Sequence, residues 1–434
     1  MQIDRLILKN FRGFANFDQP LNSRLTLIVG KNGTGKTSIL DALSVAFGSF
    51  LLGIPVADAR HLHKREAHEF ERDFGGKPDF TKAFPIRVEA EGRLPDPLTG
   101  DYHKLSWARE LGSIRGRTTT KEARDLSSIS EKAYQSVVAG DDPDLPLLSY
   151  YGANRLWELF YLRKRKHRPS RFDAYRNSHE PSVSSEDLLD WLRRMRLGEF
   201  ETGESSPSLA AWRGAVEACF EANVKVGYSP SRERLEVEFV DERRTVAYEN
   251  LSHGQRNILS MVGDIAFKAI ILNPHLGAEA VRSARGIILI DEIDLHLHPT
   301  WQKKIVPALL EAFPEMQFVV SSHSPFVIQS ISEGVMLDLD EMEFDDRVYS
   351  MPIVDIITDV QGVEERDRSM GYVNKRESAG AYLSKVARLA ECHDPDEREA
   401  LEEELDAMER GFQDPALEAM MKMERISSVK QGKE

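Results

Sequence analysis

The chain is poor in cysteine, with only Cys219 and Cys392 among 434 residues. The two lie far apart and outside any metal-ligand spacing, which argues against a disulfide scaffold and fits a reducing cytoplasm. Long hydrophobic runs are also missing. The longest charge-free apolar stretch, residues 42–57, is shorter than a bilayer span and contains Gly53 and Pro55. Charges are scattered through the N-terminal segment, unlike a signal peptide. We therefore expect a cytoplasmic protein without a membrane segment.

Positive charge is scarce, because 57 lysines and arginines stand against 71 acidic residues and the formal net charge is −14. An acidic chain has no general attraction for nucleic acid, so any DNA contact must use a local basic patch. Internal repeats, low-complexity tracts and heptad patterns long enough for a coiled-coil arm are absent from the sequence. The composition is typical of a globular protein with one large domain or a few ordinary ones.

The sequence does contain a complete phosphate-binding motif after a short apolar segment, residues 25–29. Residues 30–37 read GKNGTGKT and match G-x-x-x-x-G-K-[ST], and a helix is predicted from about residue 36 to residue 52. Glycines let successive N–H groups turn toward phosphate oxygens, and the helix N-terminus adds a partial positive charge. We expect Lys36 to reach the β- and γ-phosphates of ATP and Thr37 to bind Mg²⁺. The other predicted nucleotide-binding residues of this segment are Gly30, Lys31, Asn32, Gly33, Thr34, Gly35 and Ser38.

Two carboxylates, Asp291 and Glu292, follow the aliphatic run of residues 287–290. Ligands in open α/β sheets bind at the carboxyl ends of the strands. We expect Asp291 to hold Mg²⁺ and Glu292 to orient and deprotonate the water that attacks the γ-phosphate. An acidic strand end can simply face solvent, but its combination with the phosphate loop favours the catalytic interpretation.

Two further segments complete the pattern. Residues 251–255 read LSHGQ and open a predicted helix, where Ser252 and Gly254 can present N–H groups to an anion. Residues 321–325 read SSHSP and end a predicted strand. A hydrogen bond from His323 to the γ-phosphate would distinguish ATP from ADP, so we assign His323 to the catalytic group together with Glu292.

Together these segments resemble the ABC-type ATPases of the SMC and RecF group. LSHGQ resembles their signature L-S-G-G-Q, with His253 in place of a glycine, and residues 287–299 resemble their Walker B strand, catalytic glutamate and D-loop. In that family the signature of one subunit closes over the nucleotide held by the other. The resemblance therefore implies a head-to-head dimer with two ATP molecules at its interface. It also adds further predicted nucleotide-binding residues, namely Arg12 of the N-F-R segment, Ser252, Gly254, Gln255 and Asp294.

The sequence departs from the family in two ways. The glutamine of the Q-loop cannot be placed, and the missing coiled-coil insertion argues against an SMC-like tether. The predicted fold is α/β: an ABC-type P-loop ATPase head, split into residues 1–52 and 250–350. An inserted α+β lobe is predicted over residues 53–249 and a helical C-terminal region over residues 351–434.

A narrower resemblance concerns residues 147–152, LLSYYG, with Arg155, and residues 352–363, PIVDIITDVQGV. Both are similar to segments of the ATPases of Septu anti-phage systems, which are also found with retrons. This resemblance implies antiviral defence, with a separate HNH nuclease as partner. The ATP cycle would hold that nuclease inactive or release it onto foreign DNA.

Two alternatives remain open at this point: a RecF-like DNA-repair ATPase without a nuclease partner, and an OLD-like self-contained nuclease. OLD-type proteins carry a Toprim domain, and Asp338 and Asp340 form an Asp-x-Asp pair at a predicted strand end. The upstream glutamate and the room for that domain are missing, which favours an acidic turn. His61, His63 and His68 could also hold a metal, but no cysteine or carboxylate completes a known pattern.

One basic run stands out in the acidic chain and follows an aromatic stretch with Trp157, Phe160 and Tyr161. Its residues are Arg163, Lys164, Arg165, Lys166 and Arg168. Cations of this kind neutralise phosphates, and neighbouring aromatic rings stack on unpaired bases, so the run is our predicted DNA contact. A solvated loop and a contact with an acidic surface are the other interpretations. Residues 391–411, with ten acids against two arginines, provide one such surface within the chain.

Overall fold

The computed structural model describes residues 1–73, 78–95, 102–153, 170–179, 186–220, 223–345, 381–386, 388–389 and 395–411. The chain forms two compact units, Met1–Ile356 and Ile357–Glu434. The basic run at residues 163–168 and the segment at residues 352–363 lie outside the described residues, so the predictions made on them stay predictions.

The described residues of the first unit form four β-sheets. In chain order the strands are β1 (Gln2–Phe11), β2 (Phe14–Pro20), β3 (Leu25–Val29), β4 (Glu69–Asp73), β5 (Pro78–Lys82), β6 (Ile86–Pro95), β7 (Tyr102–Leu111), β8 (Leu147–Tyr151), β9 (Val224–Ser229), β10 (Arg234–Phe239), β11 (Arg244–Ala247), β12 (Gly286–Ile290), β13 (Met316–Ser321), β14 (Val335–Asp338) and β15 (Glu343–Asp345).

A six-stranded sheet in the order β15-β14-β3-β13-β12-β8 carries the predicted site. Its strands from β14 to β8 are all parallel, and β15 runs antiparallel at one edge. Every residue of β3, β8, β12 and β13 is buried, as expected for aliphatic runs in a parallel sheet covered on both faces. The aliphatic run at residues 287–290 lies in β12, and the strand predicted to end at the SSHSP segment is confirmed as β13.

The core extends into the span that the sequence assigns to an inserted lobe, residues 53–249. β8 pairs in parallel with β12, and β6 and β7 join β1 and β2 in an antiparallel sheet of order β2-β1-β6-β7. Strands of residues 53–249 therefore share both sheets with strands of the predicted head, residues 1–52 and 250–350. Pairing between strands that are distant in sequence depends on packing, which spacing along the chain does not encode.

Helices of the first unit cover its sheets. They are α1 (Lys36–Leu51), α2 (Arg124–Ala139), α3 (Glu186–Thr202), α4 (Pro207–Ala218), α5 (His253–Leu272), α6 (Ala280–Ser283), α7 (Pro299–Gln302), α8 (Ile305–Ala312) and α9 (Pro325–Gln329). The second unit contains α10 (Pro395–Gly411). Short 3-10 helices form at Lys64–Glu66, Lys121–Ala123, Arg171–Tyr175, Tyr248–Asn250 and Pro274–Glu279.

Helix α1 lies between the two larger sheets, since it contacts β6 and β7 of one and β12 and β13 of the other. This placement explains why its sequence is apolar nearly all round and why 14 of its 16 residues are buried or nearly so. Of the two smaller sheets, β4 and β5 form an antiparallel pair, and the sheet β11-β10-β9 contacts α3 and α4. Both of these helices contact α5.

The second unit is described over residues 381–386, 388–389 and 395–411, all of which are helical. Its apolar side chains form a small buried cluster of Tyr382, Val386, Leu389, Leu401 and Leu405. The acidic residues of α10 thus share a helix with two core leucines. Within the described parts of the chain, no helix could span a bilayer.

Gly286→Ala is expected to destabilise the first unit by at least about 2 kcal/mol, since it overpacks a parallel strand pair. A Cβ atom at Gly286 would lie 1.8 Å from the carbonyl oxygen of Leu147, so β8 and β12 would have to separate. The matched control is Gly214→Ala in α4, where an added Cβ meets nothing within 4 Å. Alanine favours a helix over glycine, so thermal unfolding of this control should show no loss. Equal melting temperatures for the two variants would contradict the packing described here.

Candidate functional site

The phosphate loop runs from the end of β3 to the first turn of α1. Gly30, Gly33 and Gly35 have φ angles of 141°, 90° and 108°, a backbone region that other residues rarely adopt. Gly35 is also tightly packed, because a Cβ atom there would lie 2.7 Å from the ring of Phe14. The glycines of the motif are therefore required by the shape of the loop, as the sequence prediction assumes.

The ammonium group of Lys36 is held inside this loop. Its Nζ donates to the carbonyl oxygens of Gly30 and Lys31 at 2.8 and 2.9 Å, and the residue is only 7% exposed. Burial lowers the pKa of Lys36, and the nearby carboxylates of Asp291 and Asp340 act in the opposite direction. A buried ammonium ringed by acids and main-chain oxygens is well placed to bind a phosphate group.

Asp291 and Thr37 meet at the carboxyl ends of β12 and β3. The Thr37 hydroxyl donates to Oδ2 of Asp291 at 2.8 Å, and the hydroxyl of Ser321, at the end of β13, donates to Oδ1 at 2.5 Å. The two residues that the sequence assigns to Mg²⁺ are thus in direct contact. The hydroxyl oxygen of Thr37 and the carboxylate oxygens of Asp291 are hard ligands of the kind that Mg²⁺ binds.

Glu292 follows in an unusual backbone conformation, with a φ angle of 49°. Its N–H donates to the hydroxyl of Ser321 at 2.8 Å, and its side chain is partly exposed. A left-handed conformation at a residue other than glycine is often found where a side chain must be presented in a particular direction. The strand end therefore turns sharply between Asp291 and Glu292.

His323 lies between two serines, whose hydroxyls bond to Asp294 of the D-loop and to Gln302 of α7. Ser322 donates to Oδ1 of Asp294 at 2.5 Å, and Ser324 donates to Oε1 of Gln302 at 2.6 Å. Partial burial and the charge of Lys36 lower the pKa of His323, against the opposing effect of the neighbouring carboxylates. Lys36 of the phosphate loop is thus near enough to act electrostatically on His323, and the lowered pKa of His323 favours its neutral imidazole.

The LSHGQ segment opens α5 through a capping box. The hydroxyl of Ser252 accepts from the N–H of Gln255 at 3.2 Å, and the Gln255 side chain accepts from the N–H of Ser252 at 3.0 Å. Gly254 packs on the D-loop, since a Cβ atom there would lie 2.6 Å from the carbonyl oxygen of His296. The ring of His253 contacts that of His296 edge to face, with 5.4 Å between centroids. These contacts join the signature segment to the D-loop of the same chain.

Arg12 is placed on α1 rather than on atoms of the phosphate loop. Its guanidinium forms ion pairs with Asp41 and, at 2.9 Å, with Glu66. Arg60 pairs with the same two carboxylates. Asp41 lies one helical turn after Thr37 in α1, so the ion pair with Asp41 brings Arg12 close to the predicted Mg²⁺ ligand. Its predicted contact with the phosphates of ATP stays a prediction.

The Asp-x-Asp pair considered for a nuclease centre lies against the phosphate loop. The Asp340 carboxylate accepts from the N–H of Lys31 at 2.9 Å, and Asp338 accepts from the N–H of Asp340 at 2.8 Å. The sequence does not predict this contact. It follows from the pairing of β14 with β3, which brings the residues after both strands together. Asp340 thus contributes to the surroundings of Lys36.

The three histidines considered for a metal site have separate partners. His61 accepts from the guanidinium of Arg109 at 3.1 Å, His63 caps the 3-10 helix at Lys64–Glu66, and His68 donates to the carbonyl oxygen of Arg12. Among the described residues, no group of three or more His, Cys, Asp or Glu side chains is arranged to hold a metal ion.

Comparison with protein families shows a match over residues 25–329 to the family described as "AAA domain, putative AbiEii toxin, Type IV TA system". The matched span includes the phosphate loop, the signature segment, the carboxylate pair and His323. It covers more than half of the chain.

Comparison with curated proteins finds three instructive relatives. The chain is 40% identical over 400 residues to the "Retron Ec83 probable ATPase" of Escherichia coli, covering 78% of this chain and 71% of the relative. It is 23% identical over 374 residues to the "Retron Vc95 probable ATPase" of Vibrio cholerae serotype O1 biovar El Tor, covering 74% and 69%. It is 24% identical over 353 residues to the "Septu protein PtuA" of Bacillus mycoides (strain KBAB4), covering 79% of this chain but 41% of that protein.

Comparison with solved structures finds, among others, the SMC head domain from Thermotoga maritima. The TM-score is 0.41 at 15% sequence identity, and the alignment covers 77% of this chain and 94% of the SMC head.

Proposed function

This chain belongs to the family described as "AAA domain, putative AbiEii toxin, Type IV TA system" and is an ATPase of the ABC type, and we propose that it acts in anti-phage defence by controlling a separate HNH nuclease. ATP binding closes two copies head to head, and hydrolysis opens them again. The nuclease is held or released according to this cycle.

The observation that carries the ATPase mechanism is the contact between Thr37 and Asp291. Two residues 254 positions apart in the chain meet at 2.8 Å, at the carboxyl ends of two strands of one parallel sheet. The phosphate loop and the acidic strand end therefore form one site. A hydroxyl and a carboxylate oxygen at this place fit Mg²⁺, and Thr37 and Asp291 are the residues that would hold it. Bound there, Mg²⁺ would neutralise charge on the phosphates of ATP.

Different groups of the chain have different roles in ATP hydrolysis. The backbone N–H groups of the phosphate loop and the Lys36 ammonium bind the phosphates. Glu292, presented by the sharp turn after β12, orients the attacking water and takes its proton. His323, whose lowered pKa favours the neutral ring, donates one N–H to the γ-phosphate and so responds to its presence.

The dimer is supported by the position of the signature segment. Ser252 and Gln255 bond to each other, and Gly254 packs on the turn at His296. The helix N-terminus that they form is suited to an anion brought by a second copy. In this arrangement Asp294 and His323 are linked within one chain by Ser322, so the γ-phosphate and the dimer interface affect the same loop.

The nuclease partner is supported by the relatives and by the position of Asp340. Two relatives are named as retron ATPases and one as a Septu protein. Asp340, the carboxylate that could have belonged to a nuclease centre, is bonded to the phosphate loop. We place DNA cleavage on the partner and direct DNA contact on the basic run at residues 163–168.

Purification of the chain alone and together with an HNH nuclease encoded beside it tests this proposal. ATP turnover and cleavage of double-stranded DNA are measured in each sample, with the Lys36→Ala chain plus the nuclease as the matched control. We expect ATP turnover in both wild-type samples, and DNA cleavage that requires the nuclease and changes with Lys36→Ala.

Two outcomes would contradict the proposal. DNA cleavage by the pure chain in the presence of Mg²⁺ or Mn²⁺ would favour the self-contained nuclease. Cleavage by the partner that is indifferent to Lys36→Ala and to ATP would remove the regulatory link and favour a repair ATPase without a nuclease partner.

A further inference from the structure

Ser321 occupies a central position between the two carboxylates of the ATP site. It is the last residue of β13, and its exposed fraction is 0%. β13 pairs in parallel with β12 so that Val320 lies opposite Ile290. The next residue on each strand therefore brings Ser321 alongside Asp291. Its burial means that its hydroxyl is engaged with protein groups rather than with solvent.

The hydroxyl of Ser321 makes two hydrogen bonds with different functional residues. It donates to Oδ1 of Asp291 at 2.5 Å and accepts from the N–H of Glu292 at 2.8 Å. The carbonyl oxygen of Ser321 accepts from the N–H of Ile293 at 3.0 Å. One residue thus contacts three consecutive residues of the turn after β12.

These contacts act on the parts of the turn that most need support. Oδ2 of Asp291 receives the Thr37 hydroxyl, so the bond from Ser321 fixes the second oxygen and with it the rotation of the carboxylate. Glu292 has the left-handed φ of 49°, and its N–H is held by the same serine. Partners of metal-binding carboxylates set their orientation, and their removal commonly lowers metal affinity or activity.

We propose that Ser321 is a positioning residue of the ATPase, which aligns Asp291 for Mg²⁺ and Glu292 for the attacking water through a single hydroxyl. This inference rests on the assignment of those two residues in the proposed mechanism. It is distinct from the role of the neighbouring His323. The hydroxyl of Ser322 bonds to Asp294 of the D-loop and that of Ser324 to Gln302 of α7, whereas the Ser321 hydroxyl bonds to Asp291 and to the N–H of Glu292.

Ser321→Ala and Ser321→Thr test the inference, with Ser178→Ala as the matched control. Ser178 is 1% exposed, and its hydroxyl donates at 2.6 Å to the carbonyl oxygen of Tyr175, a residue with no assigned role in the site. Steady-state ATP turnover is measured against Mg²⁺ concentration, with melting temperatures and ATP binding measured in parallel. Ser321→Ala should lower kcat by about 10- to 100-fold and raise the Mg²⁺ concentration for half-maximal turnover severalfold. ATP binding without Mg²⁺ should change little.

Ser321→Thr keeps the hydroxyl and should recover most of the turnover and the wild-type Mg²⁺ dependence. Ser321→Cys is nearly isosteric but is a weak hydrogen-bond donor, so it should resemble Ser321→Ala even if the threonine packs poorly. The inference is overturned if Ser321→Ala retains the kcat and Mg²⁺ dependence of Ser178→Ala. Absence of ATP turnover in the wild-type chain would instead contradict the proposed mechanism itself.

Discussion

Replacement of Glu292 by glutamine is expected to lower the rate of ATP hydrolysis by about 10²- to 10⁴-fold, while ATP still binds. The amide keeps the size of the side chain but cannot take a proton from water. ATP should therefore persist in the closed state, and the variant should form a dimer on addition of ATP and Mg²⁺. Phosphate release measures the first effect, and light scattering coupled to size-exclusion chromatography measures the second.

A matched control for this variant is Glu315→Gln, which changes an exposed glutamate that pairs with Arg285 at the opposite, N-terminal end of β13. Surface ion pairs of this kind contribute little, so its turnover should equal that of the wild-type chain. Undiminished hydrolysis by the Glu292→Gln variant would remove Glu292 from the role of general base.

Loss of the Lys36 ammonium in Lys36→Ala is expected to weaken ATP binding by at least about 100-fold. Two or more hydrogen bonds to charged phosphate oxygens are lost, each contributing about 1.5–3 kcal/mol, and every 1.4 kcal/mol is about tenfold in affinity. Isothermal titration with ATP measures the change directly, and ATP should no longer raise the melting temperature.

Lys9→Ala serves as the control for charge alone, because Lys9 is an exposed cation of β1. This variant should bind ATP as the wild-type chain does. ATP affinity that survives in Lys36→Ala, or falls equally in Lys9→Ala, would show that the phosphate loop is not the nucleotide site.

The parts of the site that are continuous in sequence could be predicted without a structure. The strand, loop and helix from Leu25 to Leu51 carry their own signals, namely an aliphatic run, glycines at required turns and an apolar helix. The same holds for β12 with Asp291 and Glu292, and for the serine cap of α5. In each case the local residues determine the local geometry.

The parts that depend on long-range pairing could not be predicted. β8 falls within the predicted inserted lobe, although it lies beside β12 and its Tyr151 carbonyl accepts from the N–H of Asp291 at 2.8 Å. In the sequence Ser321 is visible only as a neighbour of His323. The position of Asp340 in the sequence suggests a different chemistry, because nothing near it points to Lys31.

The ion pairs of Arg12 could not be predicted from its motif. The N-F-R segment predicts a contact with phosphates, and the structure adds ion pairs of its guanidinium with Asp41 and Glu66. These acids lie 29 and 54 positions further along the chain. A motif identifies the residue type at a position, but the partners of a long charged side chain are set by the fold around it.

In the proposed dimer, each ATP site is completed by the signature segment of a second copy. This arrangement is tested by mixing two variants of the chain: Lys36→Ala, which has an intact signature segment, and Ser252→Arg, which has an intact phosphate loop. The serine cap of α5 contributes about 1 kcal/mol, so folding of the second variant is checked first by thermal unfolding.

Each variant alone is expected to be inactive in ATP turnover, and an equimolar mixture is expected to recover activity. Half of the random dimers are mixed and each mixed dimer has one intact composite site, so about a quarter of the wild-type turnover should return. A mixture that stays at the level of the separate variants, or full activity in Ser252→Arg alone, would show that the ATP sites are not shared between two copies.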